Sequence, residues 1–309
     1  MTTLYLHAGR EGPAWQERFE RAAPEWRVLA WPAEVDRAEV DFIACWRPPS
    51  GFFQGFDALR AVFAFGAGIN HLLARPDLPA SVPLVRLTDA GMAEQMAEYA
   101  LYGVLHWQRD MGAYAAQQAR AQWQPLPPRL RSTVRVGVLG LGAIGSVVAG
   151  TLATLGYATS GWSRGARAVP GVDCVHGAAA LDPLLARSDV LVNLLPSTPE
   201  TRLLLDAARL SRLPAGAFVV CASRGDQLDA AALVALLDRG HLAGALLDVF
   251  ETEPLPEDSP LWRHPAVRIT PHVAAITLPE VSVAQIVAKA RALLAGRAID
   301  GMVDRARAY

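Results

Sequence analysis

Three charged side chains in the second half of the chain have the types and spacing for one reaction. Arg224 stands in Ala222-Ser223-Arg224-Gly225, Glu253 in Leu247-Asp248-Val249-Phe250-Glu251-Thr252-Glu253-Pro254, and His272 in Ile269-Thr270-Pro271-His272. All three follow a glycine fingerprint, Gly140-Leu141-Gly142-Ala143-Ile144-Gly145. A guanidinium can hold a carboxylate and polarise a neighbouring carbonyl. An imidazole can give up a proton near neutral pH, and a carboxylate beside it favours the imidazolium. Downstream of a dinucleotide site, this set suits hydride transfer to a 2-keto acid. Hydride adds to the keto carbon, and His272 supplies the proton that the developing alkoxide needs. Reduction then requires protonated His272 and slows as pH rises, and oxidation of the alcohol runs the other way. Taken singly, each residue has a plainer reading: a surface arginine, a solvated loop acid, a capping histidine. Their joint occurrence behind the fingerprint favours the chemistry.

The elements that must position these residues are legible around them. The fingerprint follows an apolar strand, Val136–Leu139, and opens a helix over Ile144–Leu155, which is the context a dinucleotide site requires. Gly140 permits the tight turn, Gly142 lets pyrophosphate approach the backbone, and Gly145 lets helix and strand pack closely. The free N–H groups and positive dipole of the helix N-terminus then face the phosphates. The next strand, about Tyr157 to Trp162, ends in Trp162-Ser163-Arg164, with Arg167 a turn later and no acid before Asp173. NAD-specific sites place Asp or Glu there for the ribose hydroxyl, whereas an arginine pairs with a 2′-phosphate. Ser163 and Arg164 therefore predict NADPH in preference to NADH. Arg224 follows the strand Phe218–Cys221, Asp248 ends the strand Leu242–Leu247, and His272 follows Val267–Thr270. Three strand ends of one parallel sheet place all three in the crevice where open α/β sheets bind ligands.

With 309 residues, two domains are expected. A hydrophobic share of 52% with 19% charged residues fits a folded globular protein, and a net charge of −1 draws the chain to neither nucleic acid nor anionic membrane. Cys45, Cys174 and Cys221 are far apart, so neither a metal site nor a disulfide framework is indicated. The N-terminus has no signal-peptide layout, and a reducing cytoplasm is the simplest setting. Val136 to Ser163 lacks any charge, yet seven glycines interrupt it, so it reads as strand, turn, helix and strand rather than a membrane span.

The first ninety or so residues alternate polar helical pieces with short strands at Leu4–Leu6, Trp26–Ala30, Phe42–Trp46, Ala61–Phe65 and Leu84–Leu87, a small α/β unit. Met92–Met111 reads as one long helix with Met96, Ala100, Val104 and Trp107 on one face. Trp123–Pro128 reads as a surface loop. A second series of nearly unbroken apolar strands follows from Val134, as in a doubly wound parallel sheet. A helix over Pro279–Ala295 and a polar tail close the chain and return to the first unit.

At these residues the chain resembles the D-isomer-specific 2-hydroxyacid dehydrogenases over essentially its whole length. Within them it is most similar to the glyoxylate/hydroxypyruvate reductase A group. Similar segments are Phe65–Ile69, Gly91–Met96, Trp123–Pro127, Leu246–Thr277 and the tail Val303–Tyr309. The resemblance implies a Rossmann-type NADP-binding domain at 97–277 and a smaller flavodoxin-like substrate domain formed by 1–96 and 278–309. It makes Arg224, Glu253 and His272 catalytic. It places Asp248 on the nicotinamide amide, Leu195, Pro196 and Thr201 beside the adenosine, and Cys221, Ala222 and His272 also at the cofactor. Ala67 and Gly68 would receive the substrate carboxylate, with Arg224, and Trp46 would wall the pocket. A homodimer is implied. Two departures stand out: Cys221 where the family often has Asn, and Asn70 where many members have Asp. The alternatives are a family enzyme with a different 2-keto acid, or a nucleotide-sensing, co-repressor-like binding protein on the same fold.

Overall fold

Runs of apolar residues without polar alternation form parallel strands covered on both faces, and the chain holds two sets of them. The computed structural model describes residues 1–66 and 68–305, divided between one unit of Met1–Met92 with Thr277–Tyr309 and a second of Ala93–Ile276. The helices in chain order are α1 (Gly12–Ala22), α2 (Asn70–Leu73), α3 (Met92–Gln108), α4 (Met111–Ala119), α5 (Ala143–Thr154), α6 (Leu181–Leu185), α7 (Ala207–Leu210), α8 (Ala230–Asp238) and α9 (Pro279–Leu294).

In the first unit, β1 (Thr3–His7), β2 (Arg27–Ala30), β3 (Phe42–Cys45), β4 (Ala61–Ala64) and β5 (Leu84–Val85) pair in the order β2-β1-β3-β4-β5. Every pair is parallel, giving the flavodoxin-like arrangement. β3 and β4 are buried along their whole length. The segment after Thr277 belongs here through two kinds of contact. α9 lies against α1, with Arg18 donating to Glu280 at 2.9 Å and Arg291 donating to Glu25 at 2.6 Å. The chain beyond α9 then runs along β5, where the Val303 N–H donates to the Leu84 carbonyl at 2.9 Å.

The second unit is a seven-stranded parallel sheet of β6 (Arg135–Leu139), β7 (Ala158–Ser163), β8 (Asp173–His176), β9 (Val190–Asn193), β10 (Ala217–Cys221), β11 (Leu242–Leu247) and β12 (Val267–Ile269). The order β12-β11-β10-β9-β6-β7-β8 is the doubly wound Rossmann pattern extended by one strand, and it reverses between β9 and β6. Side-chain alternation along β10 feeds two core layers. Ala217, Val219 and Cys221 enter the layer shared with α8, and Phe218, Val220 and Ala222 enter the layer shared with α3 and α5. Met96, Ala97, Ala100 and Val104 of α3 pack in that second layer. Gly103 lets the helix come close, since a Cβ there would lie 2.6 Å from Val220 Cγ2.

Several local expectations shift. α3 ends at Gln108 rather than near Met111 because Asp110 turns left-handed at φ 52, a conformation Asp tolerates, while Arg129 holds its carboxylate at 2.5 Å. α4 then starts afresh. β8 gave no apolar signal because it is a half-exposed edge strand. The chain passes from one unit to the other at 92/93 and back at 276/277, and α3 begins with the Met92 N–H bonded to the Asp89 carboxylate at 2.9 Å. The uncharged run Val136–Ser163 is β6 from Val136 on, the glycine turn, α5 and β7. Among the described residues no helix is long and apolar enough to cross a membrane.

Candidate active site

Strand register brings the predicted residues to one edge. Leu139, Asn193, Cys221, Leu247 and Ile269 are paired in one rank across β6, β9, β10, β11 and β12. Gly140, Leu195, Arg224, Asp248 and His272 lie one to three residues beyond it. All five therefore leave the sheet at its carboxyl edge, beside the point where the strand order reverses.

The glycine turn has the geometry of a phosphate cradle. Gly140 sits at φ 97, and a Cβ there would lie 2.8 Å from the Leu194 carbonyl oxygen. A Cβ at Gly145 would lie 1.7 Å from the Gly140 carbonyl oxygen, so α5 can begin only with glycine there. Gly142 differs, because nothing lies within 4 Å of where its Cβ would be. No side chain caps α5, and its first turn carries no acid. Backbone N–H groups that lack helical partners thus face open space, which fits a pyrophosphate.

At the end of β7 the Trp162 indole donates to the Gly177 carbonyl at 2.8 Å and the Ser163 hydroxyl to the Gly165 carbonyl at 2.8 Å. Arg164 and Arg167 are exposed beyond them. Glu200 also lies in this region; its carboxyl is held below its ordinary value, first by the Thr198 hydroxyl and more weakly by Arg164. In the loop after β9 the Thr201 hydroxyl donates to the Pro196 carbonyl at 2.7 Å.

The acid and the histidine meet directly. His272 Nδ1 and Glu253 Oε2 are 2.8 Å apart. A carboxylate only accepts, so Nδ1 carries the proton and Nε2 is left for chemistry. The other oxygen, Glu253 Oε1, accepts the Phe250 N–H at 3.0 Å, so the acid is fixed from both sides. His272 itself stands at φ 57, a strained conformation for a residue with a side chain. Asp248 holds it there. Its carbonyl accepts the His272 N–H at 2.9 Å. Its carboxylate accepts the Thr270 hydroxyl at 2.6 Å, the Val273 N–H at 2.8 Å and the Ala274 N–H at 2.9 Å. Asp248 is 1% exposed, so its side chain is committed to the turn that carries His272. Tyr99 supports this from α3, its hydroxyl 2.6 Å from Thr270 Oγ1, with burial pushing the phenol well above its ordinary value.

Arg224 joins this pair through its neighbour. A Cβ on Gly225 would lie 1.9 Å from the Phe250 carbonyl carbon, so the arginine loop rests on the backbone that holds Glu253. Arg224 Nη1 donates to the Ser223 carbonyl at 2.5 Å. Cys221 and Ala222 offer a cofactor mainly backbone. The Cys221 thiol is fully buried, accepts from Asn193 Nδ2 at 3.6 Å and is pushed up to about 11 by burial.

The remaining predicted residues lie in the first unit. Trp46 follows β3, is 38% exposed and meets the His71 ring edge-on at 4.5 Å. Gly66 leaves it room, as a Cβ there would lie 2.7 Å from the indole. Gly68 is half-buried after β4, and Ala67 lies outside the described residues. Sequence reasoning missed Gln227, which is fully buried and bonded to Asn193 at 2.8 Å, to Ser223 at 2.6 Å and to the Pro196 carbonyl at 2.8 Å. The signal was Asn193, a lone amide within the apolar run Val190–Leu195, which burial obliges to find partners.

Residues 101–274 match the family described as "D-isomer specific 2-hydroxyacid dehydrogenase, NAD binding domain". A D-isomer specific 2-hydroxyacid dehydrogenase from Xanthobacter autotrophicus Py2, solved in complex with NADPH and MES, is 42% identical with TM-score 0.95, over 100% of this chain and 99% of that one. An NADPH-dependent glyoxylate/hydroxypyruvate reductase from Sinorhizobium meliloti, in complex with NADP and sulfate, is 32% identical with TM-score 0.92 over 100% of both chains. A probable 2-hydroxyacid dehydrogenase from Rhizobium etli CFN 42, in complex with NADP, HEPES and L(+)-tartaric acid, is 29% identical with TM-score 0.91 over 100% of both. The strand-end residues, the glycine cradle and these likenesses converge: the chain belongs to the D-isomer-specific 2-hydroxyacid dehydrogenases, oxidoreductases with a nicotinamide-dinucleotide-binding domain.

Proposed function

We propose that the protein is an NADPH-dependent reductase of small 2-keto acids, taking glyoxylate to glycolate and hydroxypyruvate to glycerate. The observation that carries this reading is the His272–Glu253 pair at 2.8 Å, locked by the Phe250 N–H and set beside the Arg224 loop. Arg224 grips the substrate carboxylate and draws electron density from the adjacent carbonyl. The bound nicotinamide supplies the hydride. His272 passes its Nε2 proton to the developing alkoxide, and Glu253 stabilises the imidazolium until then. Asp248 keeps the His272 turn in place. In the first unit Trp46 and Gly68 serve the substrate. The small keto acids follow from the likeness to the Sinorhizobium meliloti enzyme.

For the cofactor, Gly140 to Gly145 with α5 hold the pyrophosphate, Leu195, Pro196 and Thr201 flank the adenosine, and Ser163 with Arg164 bind the 2′-phosphate. The absence of any acid between Trp162 and Asp173 supports NADPH over NADH, as do the NADP-bound relatives. The test is a panel of 2-keto acids assayed with both cofactors. Glyoxylate and hydroxypyruvate should be reduced fastest, with NADPH preferred. Arg164→Ala should lower kcat/KM with NADPH by about tenfold or more, the scale of one charge-assisted pair, and leave NADH turnover nearly unchanged. An NADH preference in the unsubstituted enzyme would overturn the cofactor assignment.

The assembly we propose is a homodimer formed by the second unit. Tyr102, Leu105, Met111, Leu130 and Val147 are exposed there, and Trp123 is 97% exposed. So much apolar surface calls for a partner, and the likeness to a commonly dimeric family makes that partner a second copy. Trp123→Asp should shift sedimentation toward the monomer; an unchanged dimer would place the interface elsewhere. A reducing cytoplasm suits the three free cysteines.

A further inference from the structure

We propose that Gln227 is a positioning residue that couples the loop flanking the cofactor to the loop carrying Arg224. This rests on the roles proposed above for those loops. Gln227 is 0% exposed, and every polar atom of its amide is engaged. Its Oε1 accepts from Asn193 Nδ2 at 2.8 Å and from the Ser223 hydroxyl at 2.6 Å. Its Nε2 donates to the Leu195 carbonyl at 3.0 Å, to the Pro196 carbonyl at 2.8 Å and more distantly to Thr201 Oγ1 at 3.4 Å. Two donors face the oxygen and two carbonyls face the nitrogen, so the amide has one orientation.

The consequence follows from where these partners lie. Leu195, Pro196 and Thr201 belong to the loop after β9, proposed to flank the adenosine. Ser223 immediately precedes Arg224, and its carbonyl accepts from the Arg224 guanidinium. Asn193 ends β9 in the rank of paired strand residues, and its Nδ2 also reaches Ser223 Oγ at 3.3 Å. Backbone bonds add to the link: the Leu203 N–H donates to the Asp226 carbonyl at 2.8 Å, and the Leu205 N–H to the Gln227 carbonyl at 2.9 Å. One buried amide thus sets the spacing between the two loops. Its donor half holds the cofactor side, and its acceptor half holds the arginine side. A buried, fully bonded network resists displacement because each bond broken leaves an unpaired polar group.

The two halves can be separated by substitution. Gln227→Met removes both. It should weaken NADPH binding and raise the KM for the keto acid, each on the order of tenfold. Gln227→Glu keeps an acceptor for Asn193 and Ser223, but burial keeps its carboxyl protonated, so one O–H stands where two N–H groups served the Leu195 and Pro196 carbonyls and one carbonyl loses its donor. NADPH binding should weaken about tenfold while the keto-acid KM stays within about threefold of the original. Ser223→Ala, a small change that spares Gln227, should do the reverse. NADPH binding, followed by fluorescence, and steady-state kinetics at saturating cofactor give the two readouts; thermal melting gives a third. A purely structural role would shift both constants together in all variants that fold, in step with the melting temperature, and that pattern would overturn the proposal. So would constants unchanged in all three. If neither Gln227 variant folds, Ser223→Ala decides: a raised keto-acid KM with unchanged NADPH affinity supports the coupling, and unchanged constants reject it. An unsubstituted enzyme inactive on every keto acid would instead sink the proposed function, which the panel detects before any variant is made.

Discussion

His272→Ala should reduce kcat for keto-acid reduction by about 10²- to 10⁴-fold, the usual contribution of a positioned general acid, while NADPH affinity stays within a few-fold. The separation arises because the two functions rest on different contacts. His272 acts through one ring nitrogen, the other being bonded to Glu253 at 2.8 Å. The phosphate cradle at Gly140–Gly145 is built from the turn after β6 and does not depend on it. The surroundings of position 272 should survive the change. Glu253 keeps the Phe250 N–H, and Asp248 keeps Thr270, Val273 and Ala274. Alanine inherits the φ of 57, a conformation that His and Asn tolerate better than Ala, so a modest loss of thermal stability should accompany the catalytic loss. His272→Asn separates the two effects, because Asn tolerates that conformation yet cannot act as the acid. It should restore stability without restoring turnover. A fall in kcat of less than about fivefold in both variants, well short of the general-acid range, would mean that another group delivers the proton.

The sequence made the sheets legible for a physical reason. β3, β4, β9 and β10 are buried along their entire length, and parallel strands buried on both faces leave unbroken apolar runs. The same burial obliges Asn193, the lone amide in its run, to find a partner, but that partner, Gln227, lies 34 residues away and carried no local signal. β8 escaped because an edge strand half in solvent has no such run. The end of α3 depended on Asp110 adopting a left-handed conformation, supported by Arg129 from a loop 19 residues on. For the site, residue types and strand ends were enough to assemble Arg224, Glu253 and His272 as candidates. Their locks were not visible. From the residues alone Asp248 showed only its place at a strand end, and its three bonds to the 270–274 turn appear only when β11 and β12 are paired. Nor was the close approach of Gly225 to the Phe250 backbone visible.

Gly225 is where the second large effect should lie. Its φ is not in the left-handed region, so alanine is acceptable to its own backbone, and the penalty is purely steric. The added Cβ would lie 1.9 Å from the Phe250 carbonyl carbon and 2.4 Å from the Glu251 nitrogen. These are backbone atoms that cannot rotate away. The two loops must part by about 1 Å to reach even the closest spacing that Cβ atoms show, which moves Arg224 relative to Glu253 and His272. Displacement of a binding or catalytic group on that scale costs about 10²-fold. Gly225→Ala should therefore lower kcat/KM for the keto acid by about that factor, though no reacting group has been altered. The route of the effect can be checked with Arg224→Gln. If the methyl acts by moving the guanidinium, the double variant should be little worse than Arg224→Gln alone, because a group already removed cannot be misplaced. Losses that multiply would show that Gly225 acts independently of Arg224, through Phe250 and the acid it holds. A kcat/KM within about threefold of the original enzyme, set against the 10²-fold expected of such a displacement, would show that the loops separate without moving the arginine.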